Sequence, residues 1–489
     1  MLFNSITFIV FFIAVVLLFY SLRQKYRWVL LLLASCVFYG AFIPEYLLIL
    51  FAIILVDYYA ARMMNKVHGA KRKRYLWLSI AATCILLVTF KYFNFASENI
   101  HGLAAFLGWN YDLVLLKWAL PIGLSFHTFQ SLSYVIEVYW GKQEPEKHFG
   151  IYATYVMFFP QLVAGPIERP QNLLPQFRQK KVPDYDNISR GFRQALYGYF
   201  KKMVIADNLA LYVDQVFGSP EQYSGNMSLL AMYLFAIQVY CDFSAYSDIA
   251  IGVARIMGFK LMDNFKQPFF SKSVPEFWRR WHISLSTWFR DYVYIPMGGN
   301  RVGRWRWYYN LFVVFLLSGI WHGSGWTYVV FGVMHALYII GYFVLNPYAN
   351  KLMAFLGLAK FRLLNNGLAM LITFHLIAFS FIVFRATDMQ NAFAVIGNMS
   401  FDPATFIADL KLISAKVIEL FPLRPGIIYM LLSLLIFVVV EIALAYTNAL
   451  NSMNKVPKGL RLAGYYFMIV WILFFGVYET TPHFVYFQF

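Results

Sequence analysis

Apolar runs close to the length of a bilayer span recur along most of this chain, and that feature leaves few folds open. They cover residues 6–22, 28–43, 46–61, 76–93, 229–240, 328–345, 368–384, 427–446 and 465–477. Hydrocarbon offers backbone N–H and C=O groups no partner, so segments of this length satisfy them internally, as helices. Further segments are apolar but interrupted by Gly, Pro or polar residues, as re-entrant and interfacial helices are. The pattern predicts an all-α polytopic membrane protein with about 11–13 membrane-embedded helices. Composition agrees: 60% of the 489 residues are hydrophobic and 13% charged, against about 45–50% and about 25% in soluble domains.

The 50 phenylalanines exceed what aromatic belts at the headgroups need, so many are expected to pack between helices. A formal charge of +17 would suggest nucleic acid in a soluble protein. Here the cations sit in short loops between apolar runs, which is the positive-inside pattern and argues against nucleic-acid binding. Arg23, Lys25 and Arg27 follow the first run, and Lys66, Lys71, Arg72, Lys73 and Arg74 the third, which places both loops in the cytoplasm and the N-terminus outside. Residues 1–22 lack a basic n-region and a small-residue cleavage site, so they read as a retained span. Cys36, Cys84 and Cys241 lie in apolar surroundings without paired spacing, which implies no disulfide framework and no metal site.

No soluble domain, low-complexity linker or repeat interrupts the pattern. Residues 1–489 read as one integral membrane domain, with spans at 1–165, a central region at 166–345 and further spans at 346–489. The central region is the polar part. Residues 166–202 are rich in Pro, Gln, Arg and Lys; residues 264–310 carry Lys266, Lys272, Arg279, Arg280, Arg290, Arg301, Arg304 and Arg306 against Glu276 and Asp291. Both look like cytoplasm-side helices lying on the membrane or dipping into it.

Three segments could carry chemistry. Residues 276–294, EFWRRWHISLSTWFRDYVY, fit one amphipathic helix. Phe277, Trp281, Leu285, Trp288 and Tyr292 share a face, Arg279, Ser286 and Arg290 the other, and His282 lies at the boundary. Two readings fit: an interfacial helix with snorkelling arginines, or arginines meeting an anionic cytosolic group while His282 faces a polar pocket. Residues 311–345, with LLSGIWHGSGWTY, are too long for one span and short for two, so a break is expected within 318–325. That break is either a tight turn at the surface or a cavity-lining interruption that exposes His322, a base suited to a hydroxyl. In residues 240–258, Asp242, Ser244, Ser247 and Asp248 form a polar cluster that lines a cavity or bonds helices together. His335 and His375 sit in apolar helices as satisfied core residues would. His127 follows a Pro-Ile-Gly bend, and His68, His101, His148 and His483 read as loop or near-terminal residues. No histidine pair has metal-ligand spacing, and no phosphate-binding glycine motif is present.

The string NFKQPFFSKSVPEFWRRWHISLSTWFRDYVYIPMGGNR, followed by GIWHGSGWTY, resembles the bacterial branch of the membrane-bound O-acyltransferase family. YRWVLLLLASCVFYG, PIGLSFHTFQSLSYVIEVYWG, FFPQLVAGPIERP, YCDFSAYSDIAIG, a late FRA and the terminal YFQF extend the resemblance over nearly the whole chain. It implies a rim of short helices around a thin central funnel with the motif histidines, His282 and His322, near its floor, both functionally essential. It also implies a cytosolic acyl thioester such as acetyl-CoA as co-substrate, with no tightly bound cofactor. The acyl group would leave on the far side of the bacterial cytoplasmic membrane, often with a periplasmic or secreted esterase-like partner that completes transfer to a polysaccharide.

On that resemblance Arg279, Arg280, Arg290, Trp281 and Ser286 are expected at the donor, and Asp242, Ser247 and Asp248 as supporting polar residues. Asp242 or Ser286 would set a histidine tautomer. D-alanyl transfer from an acyl carrier protein to teichoic acid is the alternative within the family. A polysaccharide or lipid transporter is the alternative outside it, and would show matching broken spans in two halves; this chain has one clear Trp-His break.

Overall fold

A computed structural model describes residues 1–117, 121, 123–420, 426–447 and 456–478. The terminal YFQF and His483 lie outside the described residues. The described chain is helical and contains no strand. Seven helices are long and apolar enough to cross a membrane: Tyr46–Met64, Gly69–Phe106, Gly225–Ile256, Trp326–Phe355, Arg362–Arg385, Ile427–Tyr446 and Lys458–Phe475. A shorter apolar helix, Ile6–Ser21, accompanies them among the described residues. Every apolar run of the sequence reading falls on a helix, and the chain is a multi-pass helical membrane protein.

The backbone divides into two compact units, Met1–Gln194 with Ile249–Met262, and Ala195–Asp248 with Asp263–Phe489. In the first unit a buried carboxylate organises four helices. Asp57, on Tyr46–Met64, accepts hydroxyl hydrogen bonds from Ser79 and Thr83 on Gly69–Phe106 and from Ser131 on Leu124–Tyr139. Ser131 also lies 3.2 Å from the hydroxyl of Tyr152, on Phe149–Met157. A buried polar group must be bonded in this way, because hydrocarbon supplies no substitute. Gly150 admits the Trp28 ring: a Cβ there would sit 2.1 Å from it.

The second unit has an aromatic core, as the phenylalanine count foretold. Trp281 stacks on Phe277 with centroids 5.3 Å apart. Phe265, at 5.1 Å, and Phe381, at 5.4 Å, close around it. Charge is buried here too. Phe200–Ala206 is a π-helical turn, a form that recurs at functional sites. It carries Lys201 and Lys202 inward: Lys201 pairs with Asp248 at 2.6 Å, and Lys202 with both Asp207 and Asp242 at 2.7 Å. Glu441 accepts from the hydroxyls of Tyr197 and Tyr240 at 2.9 and 2.7 Å. The end of the 166–202 segment, expected at the membrane surface, is therefore core, because its ammonium groups meet carboxylates from the following helix and from Gly225–Ile256.

Candidate active site

The continuous amphipathic helix expected over residues 276–294 does not form. The chain makes Val274–Arg280, breaks, resumes as Ile283–Phe289, and ends in a π-helical segment, Arg290–Tyr294. The break is His282 itself, at φ 42° and ψ 54°, in the left-handed region. A side chain there costs about 1–3 kcal/mol and persists only where its surroundings hold it.

Asn264 supplies the hold. Its carbonyl oxygen accepts from the Ile283 N–H at 2.9 Å. Its side-chain Oδ1 accepts from the Ser284 N–H at 3.2 Å and the Ser284 hydroxyl at 2.9 Å, and lies 3.1 Å from His282 Nδ1. Its Nδ2 donates to Ser247 Oγ at 2.9 Å. Two residues on, the Lys266 N–H donates to the Arg280 carbonyl at 2.9 Å and ties down the preceding helix. A third tie fixes that helix: the Trp278 indole N–H donates to His335 Nδ1 at 3.1 Å, and His335 Nε2 meets Ser380 Oγ at 3.0 Å. His335 is the satisfied core histidine the sequence suggested.

His282 is fully buried. Its ring stands edge-on to Phe243 at 4.6 Å, with Phe265 at 6.4 Å and Trp321 at 6.0 Å. It lies outside the seven spans, and burial pushes its imidazole down to about 3, so it is neutral at physiological pH.

His322 ends the helix Arg304–His322, and the next helix starts at Trp326. The glycine break thus falls at residues 323–325, inside the expected window. Gly323 is required by close approach, since a Cβ there would lie 2.1 Å from the Tyr328 ring. The two helices cross through Gly319 and Gly332: a Cβ on Gly319 would sit 2.4 Å from the Tyr328 carbonyl oxygen and 2.7 Å from Gly332 Cα. Such a crossing of small residues is how membrane helices approach closely. It seats His322 among Trp321 at 5.0 Å, Phe384 at 5.4 Å and Phe331 at 5.9 Å, with 3% of its surface exposed. The Trp321 indole is therefore a shared wall, touching both motif histidines.

The other expected site residues divide. Ser247 reaches the His282 cluster through Asn264. Asp242 and Asp248 instead pair with Lys202 and Lys201. The partner at His282 Nδ1 is Asn264, and the Ser286 hydroxyl donates to the Trp281 carbonyl at 3.3 Å. Trp281 is buried in the aromatic core. Arg279 is exposed, Arg280 pairs with Glu276 at 2.6 Å, and the half-exposed Arg290 with Asp291 at 2.8 Å. Sequence reasoning missed Asn264, Ser284, Lys201 and Lys202. Asn264 stood at the head of the quoted motif string without a spacing that marks it. Among the described residues no group of three or more His, Cys, Asp or Glu side chains could hold a metal ion.

Two buried histidines, each at a helix break and sharing one indole wall in a multi-pass helical protein, suit proton transfer away from bulk water. Residues 147–351 match the model of MBOAT, the membrane-bound O-acyltransferase family. The protein named "Probable alginate O-acetylase AlgI" of Pseudomonas putida is 37% identical over 402 residues, covering 82% of this chain and 80% of that protein. The peptidoglycan O-acetyltransferase of Helicobacter pylori is 34% identical over 435 residues, 82% of this chain and 80% of its own. The teichoic acid D-alanyltransferase of Bacillus subtilis is more distant, 31% identical over 284 residues, 55% of this chain and 70% of its own. The chain belongs to the membrane-bound O-acyltransferase family. It is a bilayer-embedded O-acyltransferase that takes an acyl donor as co-substrate.

Proposed function

We propose that the chain moves an acetyl group from a cytosolic thioester, acetyl-CoA, across the bacterial cytoplasmic membrane for O-acetylation of an extracytoplasmic polysaccharide such as alginate or peptidoglycan. The observation that carries this reading is the pair of buried motif histidines at two helix breaks around Trp321. Support for acetyl over D-alanyl comes from the acetylase relatives, which align over more of the chain and at higher identity than the D-alanyltransferases do.

Arg279, Arg280 and Arg290 face an anionic donor; guanidinium groups match phosphate oxygens in a bidentate way that ammonium groups do not. His322 takes the proton of the acceptor hydroxyl as its oxygen attacks the thioester carbonyl. The tetrahedral intermediate collapses, the C–S bond breaks, and the thiolate leaves and takes up a proton. His282 orients the thioester or shares that proton. A periplasmic or secreted esterase-like partner completes transfer to the polymer.

The test uses purified protein in proteoliposomes with radiolabelled acetyl-CoA, and in parallel with a D-alanyl-loaded carrier protein. Acetyl transfer to acceptor is expected, falling by roughly 10²-fold or more in His322→Ala, the scale of a lost general base. A folded His322→Ala protein with full activity overturns the assignment; transfer of D-alanine alone overturns the choice of acetyl.

A further inference from the structure

The His282 cluster determines which ring nitrogen carries the proton, independently of how an amide is oriented by convention. The Asn264 side-chain atom nearest His282 also lies 3.2 Å from the Ser284 backbone nitrogen. A backbone N–H only donates, so that atom is the acceptor oxygen and not the amide nitrogen. The opposite end of the same amide is then Nδ2, and it donates to Ser247 Oγ at 2.9 Å. A carbonyl oxygen offers no proton to His282 Nδ1, 3.1 Å away. The imidazole must therefore donate from Nδ1, and in the neutral ring the lone pair lies on Nε2.

We propose that Asn264, oriented by the Ser284 N–H and braced by Ser247, is the positioning residue that fixes His282 as its Nδ1–H tautomer and so assigns Nε2 as the nitrogen that acts in acyl transfer. The proposal rests on the reading that His282 serves the reaction. The surroundings favour one answer. Asn264 is 1% exposed and His282 fully buried, so their hydrogen bond is shielded from bulk water. The same Asn264 clamps the left-handed backbone of His282 through its carbonyl oxygen and Oδ1, so ring orientation and tautomer are set together. The rings against His282, Phe243, Phe265 and Trp321, are uncharged and leave the amide as the polar partner that the geometry shows at Nδ1. Holding a neutral imidazole through its second nitrogen is a general device: the group on one nitrogen decides what the other can do.

Two measurements on the full-length protein in detergent or proteoliposomes test it. The first needs no activity. Protein labelled with 15N-histidine is compared with His282→Gln, and the resonances lost identify His282. A pyrrole-like Nδ1 and a pyridine-like Nε2 are expected at neutral pH; the reverse assignment, or a doubly protonated ring, overturns the proposal. The second is steady-state kinetics. Ser247→Ala, which leaves the buried Nδ2 without its acceptor and loosens the amide, is expected to lower kcat by roughly 10-fold with the donor KM within about 2-fold, and Asn264→Leu by roughly 10²-fold. Asn264→Asp keeps an acceptor for Nδ1 and is expected to retain the tautomer signature and recover most of the kcat lost in Asn264→Leu. If Asn264→Leu fails to fold, Ser247→Ala and the 15N spectrum still decide. Unchanged kcat in a folded Asn264→Leu protein overturns the proposal, whereas absence of acetyl transfer in the wild type with the expected 15N pattern overturns the proposed reaction and leaves the tautomer standing.

Discussion

Replacing Lys202 with methionine is expected to destabilise the second unit more than an ordinary core substitution would. Its ammonium lies 2.7 Å from Asp207 and 2.7 Å from Asp242; its side chain is 11% exposed and both carboxylates 2%. At an effective dielectric near 20 each pair is worth about 6 kcal/mol of Coulomb attraction. Desolvating three ions offsets most of it, so the intact triad is close to neutral for stability. The balance fails when the cation alone is removed, since both carboxylates keep their desolvation cost. Losing one partner of a buried pair costs about 3–5 kcal/mol, a large share of the roughly 5–15 kcal/mol that holds a typical native state. At about 2–4 °C per kcal/mol the apparent unfolding midpoint falls by roughly 6–20 °C. Midpoints are read by tryptophan fluorescence in detergent. The decisive comparison is Lys202→Met/Asp207→Asn/Asp242→Asn, which removes the charges together and is expected to recover most of the loss. A Lys202→Met protein within about 2 °C of wild type would refute the reasoning. A triple variant no better than the single would show that packing, not uncompensated charge, set the effect.

Gly332→Ala puts a Cβ 2.7 Å from the Phe315 carbonyl oxygen; overpacking there is expected to cost about 1–3 kcal/mol and, by shifting the crossing that seats His322, to lower turnover roughly 10-fold or more. Gly303→Ala, where a Cβ meets nothing within 4 Å, is the control, and equal loss in both variants would sink the argument. Acid sensitivity should trace partly to His282, whose pKa burial lowers from 6.5 to about 3. A depressed native pKa means the unfolded chain binds more protons in that window, so the stability is fully present above pH 6.5 and lost as pH falls towards 3. Unfolding midpoints from pH 7.5 to 5 should therefore fall more steeply for wild type than for His282→Gln; parallel slopes would contradict it.

Hydropathy placed spans well because burial in hydrocarbon is a local property of each run. Residues 427–446 emerge as the helix Ile427–Tyr446 with the same bounds. The run at 76–93 becomes the longer Gly69–Phe106, because Lys71, Arg72, Lys73 and Arg74 end an apolar window while remaining good helix formers. The Trp-His-Gly break was legible for a similar reason: three glycines within seven residues cannot extend a helix comfortably, and the length of 311–345 demanded an interruption.

Residue types, by themselves, settled that this chain is a helical multi-pass membrane protein, and the motif strings pointed to its family and to His282 and His322. Only the tertiary structure decided what those histidines meet. The helical wheel over 276–294 contained no sign that His282 would break the helix, since the clamp comes from Asn264 in a separate segment. Lys201 and Lys202 looked like part of a basic surface stretch because their carboxylates, Asp207, Asp242 and Asp248, are mostly distant in sequence. Periodicity and hydropathy report the solvent a segment prefers; the partner of a buried polar atom is chosen by three-dimensional packing, and in this site that partner sets the proton on the histidine.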